Sequence, residues 1–166
     1  WEILDVYRIA TNSAKTITTQ GFSLGLNYYL DSKYTFNGNF SWNKLNKQID
    51  DPIIPAYNTP EFKFNVGLSG KDINIELNEK SLIKDIGFSF NYKWVQGFLF
   101  EGSPQFTGEV PTYGLLDLQV TKNMKKQNLA IKIGASNILN NRVLQVYGGP
   151  FIGRMAYISL LFDFKD

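Results

Sequence analysis

The residues from Gly21 to Gly25 read GFSLG and match the G-x-S-x-G pattern, which places a nucleophilic serine on a sharp strand-to-helix turn. Such a serine needs a histidine to accept its proton, and the chain contains no histidine. Ser23 also lies inside a regular alternation of apolar and polar residues, which is typical of a strand. We therefore interpret the match as chance and predict that the protein is not an enzyme.

Two further motifs have residue types that bind ions. Asp50 and Asp51 stand close to Pro52 and Pro55, which is typical of a turn, and the segment offers too few regularly spaced oxygen ligands for calcium. The stretch YGGPFIGR, which ends at Arg154, is rich in glycine but lacks the strand-to-helix context of a phosphate-binding loop. We predict no metal site and no cofactor, and we expect YGGPFIGR to form a tight loop.

The composition narrows the class of protein. The net charge is +2 and the lysines are scattered, so we expect no nucleic-acid partner. Aromatic residues make up 15% of the chain. Charged residues make up 19%, which is below the roughly 25% of an average soluble domain and indicates less contact with water. The absence of cysteine excludes disulfides and thiolate metal sites. No apolar run approaches about 18 residues, so we expect no transmembrane helix.

Apolar and polar residues alternate along most of the chain, which predicts strands and no helix. In KYTFNGNFSW, for example, one set of alternate positions is aromatic or glycine and the other is lysine, threonine, asparagine and serine. The eight segments that we predict as strands on this basis, the first of them ambiguous, cover residues 1–9, 21–30, 33–42, 61–70, 86–94, 115–120, 128–136 and 154–164.

The polar side of these strands indicates which solvent surrounds them. A sheet that faces water usually carries many lysine, glutamate and arginine side chains on its outer face. Here the polar positions are mostly asparagine, serine, glycine and threonine, which suit the inner wall of a membrane barrel, while the aromatic positions suit lipid. The sequence therefore predicts an all-β, antiparallel transmembrane β-barrel whose aromatic face contacts hydrocarbon.

Aromatic residues and connection lengths agree with this fold class. Aromatic side chains stand near the ends of the apolar stripes, where membrane barrels carry aromatic girdles; they are Tyr28, Tyr34, Trp42, Tyr92, Trp94 and Phe164. The connections near Asp31 and at residues 124–127 are short, whereas those at residues 46–60, 98–114 and 137–153 are long and fall on one side by parity. Residues 70–84 form a long connection on the short side, which this scheme does not explain beyond an extension of the strands into part of the segment.

Several stretches carry a family resemblance: TQGFSLGLNYYL, NTPEFKFNVGLSG, NYKWVQGFLFEGSPQFTGEVPTY, IKIGASNILN, YGGPFIGR and the closing AYISLLFDF. Together they resemble the C-terminal part of TonB-dependent outer-membrane receptors of the Bacteroidetes type, over nearly the whole chain. The resemblance implies that residues 1–166 are about the last eight strands of a larger, 22-stranded barrel, without the plug domain. It implies active uptake of a siderophore, cobalamin, a glycan or a peptide at the outer membrane.

The resemblance also implies partners and functional residues. The partners are outer-membrane lipid, the barrel-assembly machinery, a surface lipoprotein, and the TonB complex through an N-terminal region outside these residues. As ligand contacts in the extracellular loops we expect the aromatic, arginine and glutamine side chains of Phe100, Gln105, Phe106, Arg142, Tyr147 and Arg154. As lumen or plug contacts we expect Asn91, Lys93, Asp117 and Lys132, and as the assembly signal Tyr157, Phe162 and Phe164.

Two alternatives remain open at this stage. Eight strands in 166 residues also fit a complete small outer-membrane barrel with a structural or adhesive role, or a soluble β-sandwich that binds a ligand. Small barrels fill their interior with side chains. We expect the glycines on the presumed inner face to leave that interior underfilled, which favours the larger barrel; they are Gly25, Gly67, Gly87 and Gly134.

Overall fold

The chain folds as an antiparallel sheet in a computed structural model that describes residues 18–46, 57–78, 81–102 and 106–164. Within these ranges there is no α-helix, and a turn of 3-10 helix lies at Lys125–Gln127. No helix in the described part of the chain is long and apolar enough to cross a membrane. The strand that we predict at residues 1–9 lies outside the described residues. The other predicted strands are confirmed, with shifted ends.

Nine strands are present in the described residues. They are β1 (Thr19–Leu30), β2 (Tyr34–Leu45), β3 (Phe62–Asn78), β4 (Ser81–Val95), β5 (Phe98–Glu101), β6 (Thr107–Val110), β7 (Tyr113–Met124), β8 (Leu129–Ser136) and β9 (Met155–Phe162). Seven of them form one sheet in the order β1-β2-β3-β4-β7-β8-β9, and β5 pairs with β6 alone. The large sheet is not closed, because β1 and β9 do not pair with each other.

The strand register places most apolar residues of the seven strands on one side of the sheet. Leu24 pairs with Phe40, which pairs with Phe64, and the same alignment continues through β4, β7, β8 and β9. Because paired residues point to the same side of a sheet, these side chains form one apolar face. The apolar face comprises Phe22, Leu24, Leu26, Tyr28, Tyr34, Phe36, Phe40, Trp42, Phe62, Phe64, Val66, Leu68, Ile86, Phe88, Phe90, Tyr92, Trp94, Leu116, Leu118, Val120, Leu129, Ile131, Ile133, Ile158, Leu160 and Phe162.

The opposite side, the polar face, carries serine, threonine, asparagine, glutamine and glycine with scattered charges. Ser23 pairs with Ser41, and their hydroxyl oxygens lie 2.9 Å apart. Asn39 pairs with Asn65 and Ser69 with Ser89. Ser23 therefore lies in the middle of a strand, as the alternation predicts, and not on a strand-to-helix turn.

The connections alternate between the two ends of the sheet. At the short-turn end, Asp31–Lys33 joins β1 to β2 and Lys125–Asn128 joins β7 to β8. At the long-connection end, the chain passes from β2 to β3, from β4 to β7 and from β8 to β9. The predicted separation of short and long connections is confirmed.

The expectation that part of residues 70–84 extends the neighbouring strands is confirmed, and the long connection otherwise predicted there is wrong. Strand β3 continues to Asn78 and β4 begins at Ser81, so the segment is a hairpin that extends past the ends of β2 and β7. The register shifts between Gly70 and Ile73, and again between Ile73 and Ile75, as at β-bulges. We call residues 71–85 the ribbon.

The long connection predicted at residues 98–114 also contains unpredicted structure. Phe98 to Glu101 pair with Thr107 to Val110 as a separate hairpin, β5–β6. Val110 is 1% exposed and Val95 is 4% exposed, so this end of the sheet has a small apolar core. The side chain of Asn58 fixes the hairpin to residues 57–61, because it donates to the backbone oxygen of Glu101 and accepts from its N–H.

The expectation that glycines leave the polar face underfilled is wrong at three of the four positions. Gly87 is buried, and a Cβ built on it would lie 3.2 Å from the backbone oxygen of Gly70. A Cβ built on Gly67 would lie 2.5 Å from Oδ1 of Asn37, and one on Gly134 would lie 2.5 Å from the hydroxyl oxygen of Tyr157. Longer side chains of neighbouring strands therefore cover both glycines. At Gly25 the nearest atom would be 3.8 Å away, so the face there is open.

Candidate functional site

The four residues expected to contact a lumen or plug all lie on the polar face. Asn91 pairs with Asp117, and Lys93 pairs with Asn65 on β3. Lys132 is farther away, paired with Thr121. The face as a whole presents amide and hydroxyl groups with few charges, which suits contact with water or with a polar protein surface.

Asp117 also has a structural role that the sequence does not reveal. One carboxylate oxygen of Asp117 accepts a hydrogen bond of 2.9 Å from the backbone N–H of Asn137, directly after β8. The side chain of Asn137 donates to the oxygen of Asn141 at 2.7 Å and accepts from its N–H at 3.0 Å. Asn141 in turn donates to the backbone oxygen of Gly114 at 3.0 Å. Side-chain amides thus fix the start of the last long connection onto β7.

Three of the expected ligand contacts converge at the long-connection end. A Cβ built on Gly102 would lie 3.3 Å from both the Phe100 ring and the Cβ of Phe106, so these residues flank one turn. A Cβ on Gly108 would overlap the ring of Tyr147. Phe106 is 51% exposed and Tyr147 is 37% exposed, so both rings remain accessible. Gln105 lies outside the described residues.

The two expected arginines make contacts with other residues of the last long connection. The guanidinium carbon of Arg142 lies 4.9 Å from the centre of the Phe151 ring, a cation–π contact. Arg154 is exposed, and its backbone N–H donates to Oδ1 of Asn140 at 3.0 Å. Neighbouring Val143 and Ile152 form an isolated antiparallel bridge, and Val143 is 3% exposed. The last long connection is therefore a compact loop with aromatic and cationic groups on its surface.

A groove of about 430 Å³ lies beside the β5–β6 hairpin. Its walls include Asn43, Tyr57, Glu61, Gln96 and Glu101. Glu61 accepts a hydrogen bond of 3.3 Å from the indole of Trp42, whereas Oε1 of Gln96 is buried and has no hydrogen-bond partner in the described part of the chain. The sequence gives no signal for this groove, because its walls come from three separate segments.

The short-turn end carries an ion-pair cluster. Nζ of Lys125 lies 2.6 Å from Oδ1 of Asp85 and 3.3 Å from Oδ1 of Asp72. Both aspartates have positive φ, 58° and 51°, at the bulges of the ribbon. The hydrogen bonds to Asp85 and Asp72 raise the pKa of Lys125 above its ordinary value. The cluster connects the ribbon to the turn between β7 and β8.

The residues expected to form the assembly signal do not share one face. Phe162 lies on the apolar face and pairs with Leu129. The ring of Phe164 packs edge-on against the ring of Phe162, with 4.6 Å between the ring centres. Tyr157 lies on the polar face, where its hydroxyl donates to Oε1 of Gln119 at 2.8 Å. Tyr157 therefore also fixes β9 to β7, across the intervening β8.

The described residues contain no group of three or more histidine, cysteine, aspartate or glutamate side chains arranged to hold a metal ion. No protein-family model, no curated protein and no solved structure matches the chain.

Proposed function

We propose that the chain forms part of the wall of a transmembrane β-barrel, with the apolar face against lipid and the polar face towards the lumen. The observation that carries the proposal is the alignment of apolar residues across seven strands by the register of the sheet. Such a face is large, continuous and exposed; Leu24 is 63% exposed and Ile158 is 72% exposed. Exposed apolar surface on this scale requires lipid or another apolar partner to cover it.

The aromatic residues support the same orientation. At the long-connection end, Trp42 and Trp94 flank a group of contacting rings, in which Phe64 stacks on Trp94 at 5.5 Å and Phe22 lies 5.7 Å from Trp42. Tryptophan and tyrosine favour the boundary between hydrocarbon and head groups. The rings at this end therefore fit one interface of a bilayer.

We propose further that the barrel to which this wall belongs is an outer-membrane receptor, which imports a scarce nutrient with energy from the TonB complex. This part depends on the sequence resemblance, and the accessible Phe106, Tyr147 and Arg142 at the long-connection end provide groups that could hold a ligand. Among the described strands, β1 and β9 each have one edge without a strand partner. This favours a larger barrel over a complete small one, because strands inside a membrane need partners on both sides.

Spin labels at adjacent positions test the orientation. Labels are placed singly at Phe36, Asn37, Phe90 and Asn91 in the whole protein that carries this chain, reconstituted in bilayers. Successive residues of a strand point to opposite sides, so Phe36 and Phe90 should be reached by a lipid-soluble relaxant, and Asn37 and Asn91 should not.

A soluble sandwich would shield the labels at Phe36 and Phe90 from every relaxant, because these positions would be in its core. The reverse pattern, or no lipid access at any of the four positions, would reject the proposed wall. Cross-linking of the whole protein to TonB in cells tests the energy source separately, and its absence would reject only the TonB-dependent part.

A further inference from the structure

Lys122 is a charged residue within a row of apolar ones. It pairs with Ile86 on β4 and with Ile131 on β8, so its Cα lies on the apolar face near the short-turn end. In the described strands, the other lysine on this face is Lys44, which pairs with Gln20 near the long-connection end. The two lysines therefore stand at opposite ends of an otherwise uncharged band.

The side chain of Lys122 extends along the sheet, away from the centre of this band. Its Nζ donates to the backbone oxygen of Lys84, which lies beyond Ile86 in the direction of the ribbon. Lysine side chains at the edge of an apolar region commonly place the stem on the apolar surface and the ammonium group in the polar boundary. Lys122 has this arrangement.

The ammonium group of Lys122 has no carboxylate partner in the described part of the chain. Asp85 and Asp72 are the acidic side chains of the ribbon that form ion pairs, and both bind Lys125. Lys84 is exposed and adjacent, and no ion pair involves it in the described residues either. The charges of Lys122 and Lys84 act on the nearby Asp85 carboxylate, but neither ammonium group forms an ion pair with a carboxylate of the described residues. Two ammonium groups therefore stand without a direct ion-pair partner at the point where the apolar face ends.

We infer that Lys122, with Lys84 beside it, binds the phosphate group of an anionic lipid at the short-turn end of the apolar face. The inference depends on the proposed membrane orientation, since the lipid would be one whose acyl chains cover Ile86 and Ile131. An ammonium group has three donors and no acceptor, and the bond to the oxygen of Lys84 uses one of them. The remaining donors can bind phosphate oxygens, with the charge attraction that anionic head groups add.

The test compares two kinds of bilayer, using the whole protein that carries this chain. The protein is reconstituted in phosphatidylcholine alone and in phosphatidylcholine that contains phosphatidylglycerol, and the urea midpoint of unfolding is measured in each. The anionic lipid should raise the midpoint of the unsubstituted protein. Lys122→Met, which keeps the stem and removes the charge, should lose most of this rise, and Lys122→Arg should keep it.

Lys126→Met is the matched control, because Lys126 is an exposed lysine in the nearby turn and is not on the apolar face. It should keep the full rise. The inference would be overturned if phosphatidylglycerol raised the urea midpoint of Lys122→Met as much as that of the unsubstituted protein. It would also be overturned if Lys126→Met lost as much of this rise as Lys122→Met. A rise caused by inorganic phosphate added to phosphatidylcholine vesicles would also overturn it, because the source would then be a free anion.

Failure of the membrane proposal can be told apart from failure of this inference. Trp42 and Trp94 lie on the apolar face, so brominated acyl chains should quench their fluorescence. No quenching would reject the membrane orientation and the lipid site together. If the fluorescence is quenched but the urea midpoint does not depend on phosphatidylglycerol, only the lipid site is rejected.

Discussion

Asn137 shows how one residue can fix a whole connection. It is 3% exposed, has a φ of 51°, and forms two side-chain hydrogen bonds with Asn141 while its N–H binds Asp117. Asparagine tolerates the left-handed conformation better than other residues with a side chain, since its amide can bond locally. The sequence predicts a turn after β8, but the partner on β7 is twenty positions earlier in the chain, and spacing alone cannot identify it.

Substitution of Asn137 should destabilise the protein strongly. Asn137→Gly keeps the backbone freedom and loses the side-chain bonds, which should cost about 1–3 kcal/mol of unfolding free energy. Asn137→Ala should cost roughly 1 kcal/mol more, because alanine is strained at positive φ. Urea unfolding of the whole protein in bilayers measures both.

Asn128→Ala is the control for the backbone contribution. Asn128 has a φ of 50° and no side-chain hydrogen bond in the described residues. The loss of unfolding free energy in Asn128→Ala therefore comes only from placing alanine at a positive φ. A loss in Asn128→Ala as large as that in Asn137→Ala would contradict a role for the amide bonds of Asn137.

At the scale of elements, long uninterrupted alternation is predictable and short or bulged strands are not. The stripe from Phe62 to Leu68 predicts β3, but the bulge at residues 71–72 moves the next apolar residue to Ile73 and breaks the period of two. Strands β5 and β6 have four residues each, too few for the alternation to differ from chance. The side on which each predicted strand presents its apolar residues is confirmed by the register.

Pairs of a glycine and a large side chain on neighbouring strands are a second element-scale feature. A Cβ on Gly134 would lie 2.5 Å from the Tyr157 hydroxyl and 3.0 Å from the backbone oxygen of Leu118. We expect Gly134→Ala to lower the unfolding free energy by about 1–3 kcal/mol through overpacking. Gly25→Ala, whose Cβ would make only ordinary contact, should change it by less than about 0.5 kcal/mol.

Chemical denaturation of both variants in the same bilayer checks this difference. Tyr157→Ala removes both the hydroxyl oxygen and the ring carbon that would lie 2.6 Å from the new Cβ, so Gly134→Ala should cost less in that background than in the unsubstituted protein. Equal stability of Gly134→Ala and Gly25→Ala would show that the tyrosine moves away without cost.

At the scale of the whole molecule, the open sheet is the central feature. Both edges, β1 and β9, have exposed residues throughout and backbone groups without strand partners on one side in the described residues. Sequence alternation can assign faces to strands but carries no information on how many further strands complete a wall. The number of strands in the closed structure therefore stays a prediction.

We expect the 166-residue chain alone to fail to form a stable closed pore. Lipid and detergent cannot satisfy the free N–H and C=O groups of two sheet edges. The measurement is refolding of the isolated chain in detergent, followed by size-exclusion chromatography and heat-dependent electrophoretic mobility. A monodisperse, heat-resistant species with eight strands would contradict the larger barrel.

The order of strands in the large sheet also has a consequence for how the chain folds. Each strand pairs with the next one in sequence, and β4 and β7 are separated only by the small β5–β6 hairpin. Closing a loop costs more entropy as it lengthens, by about 0.6 kcal/mol per doubling, so the hairpins at the short-turn end should close first. The long connections then join hairpins that already exist, and the described sheet grows laterally, one hairpin at a time, while pairing between distant parts of the sequence is needed only to close the proposed barrel.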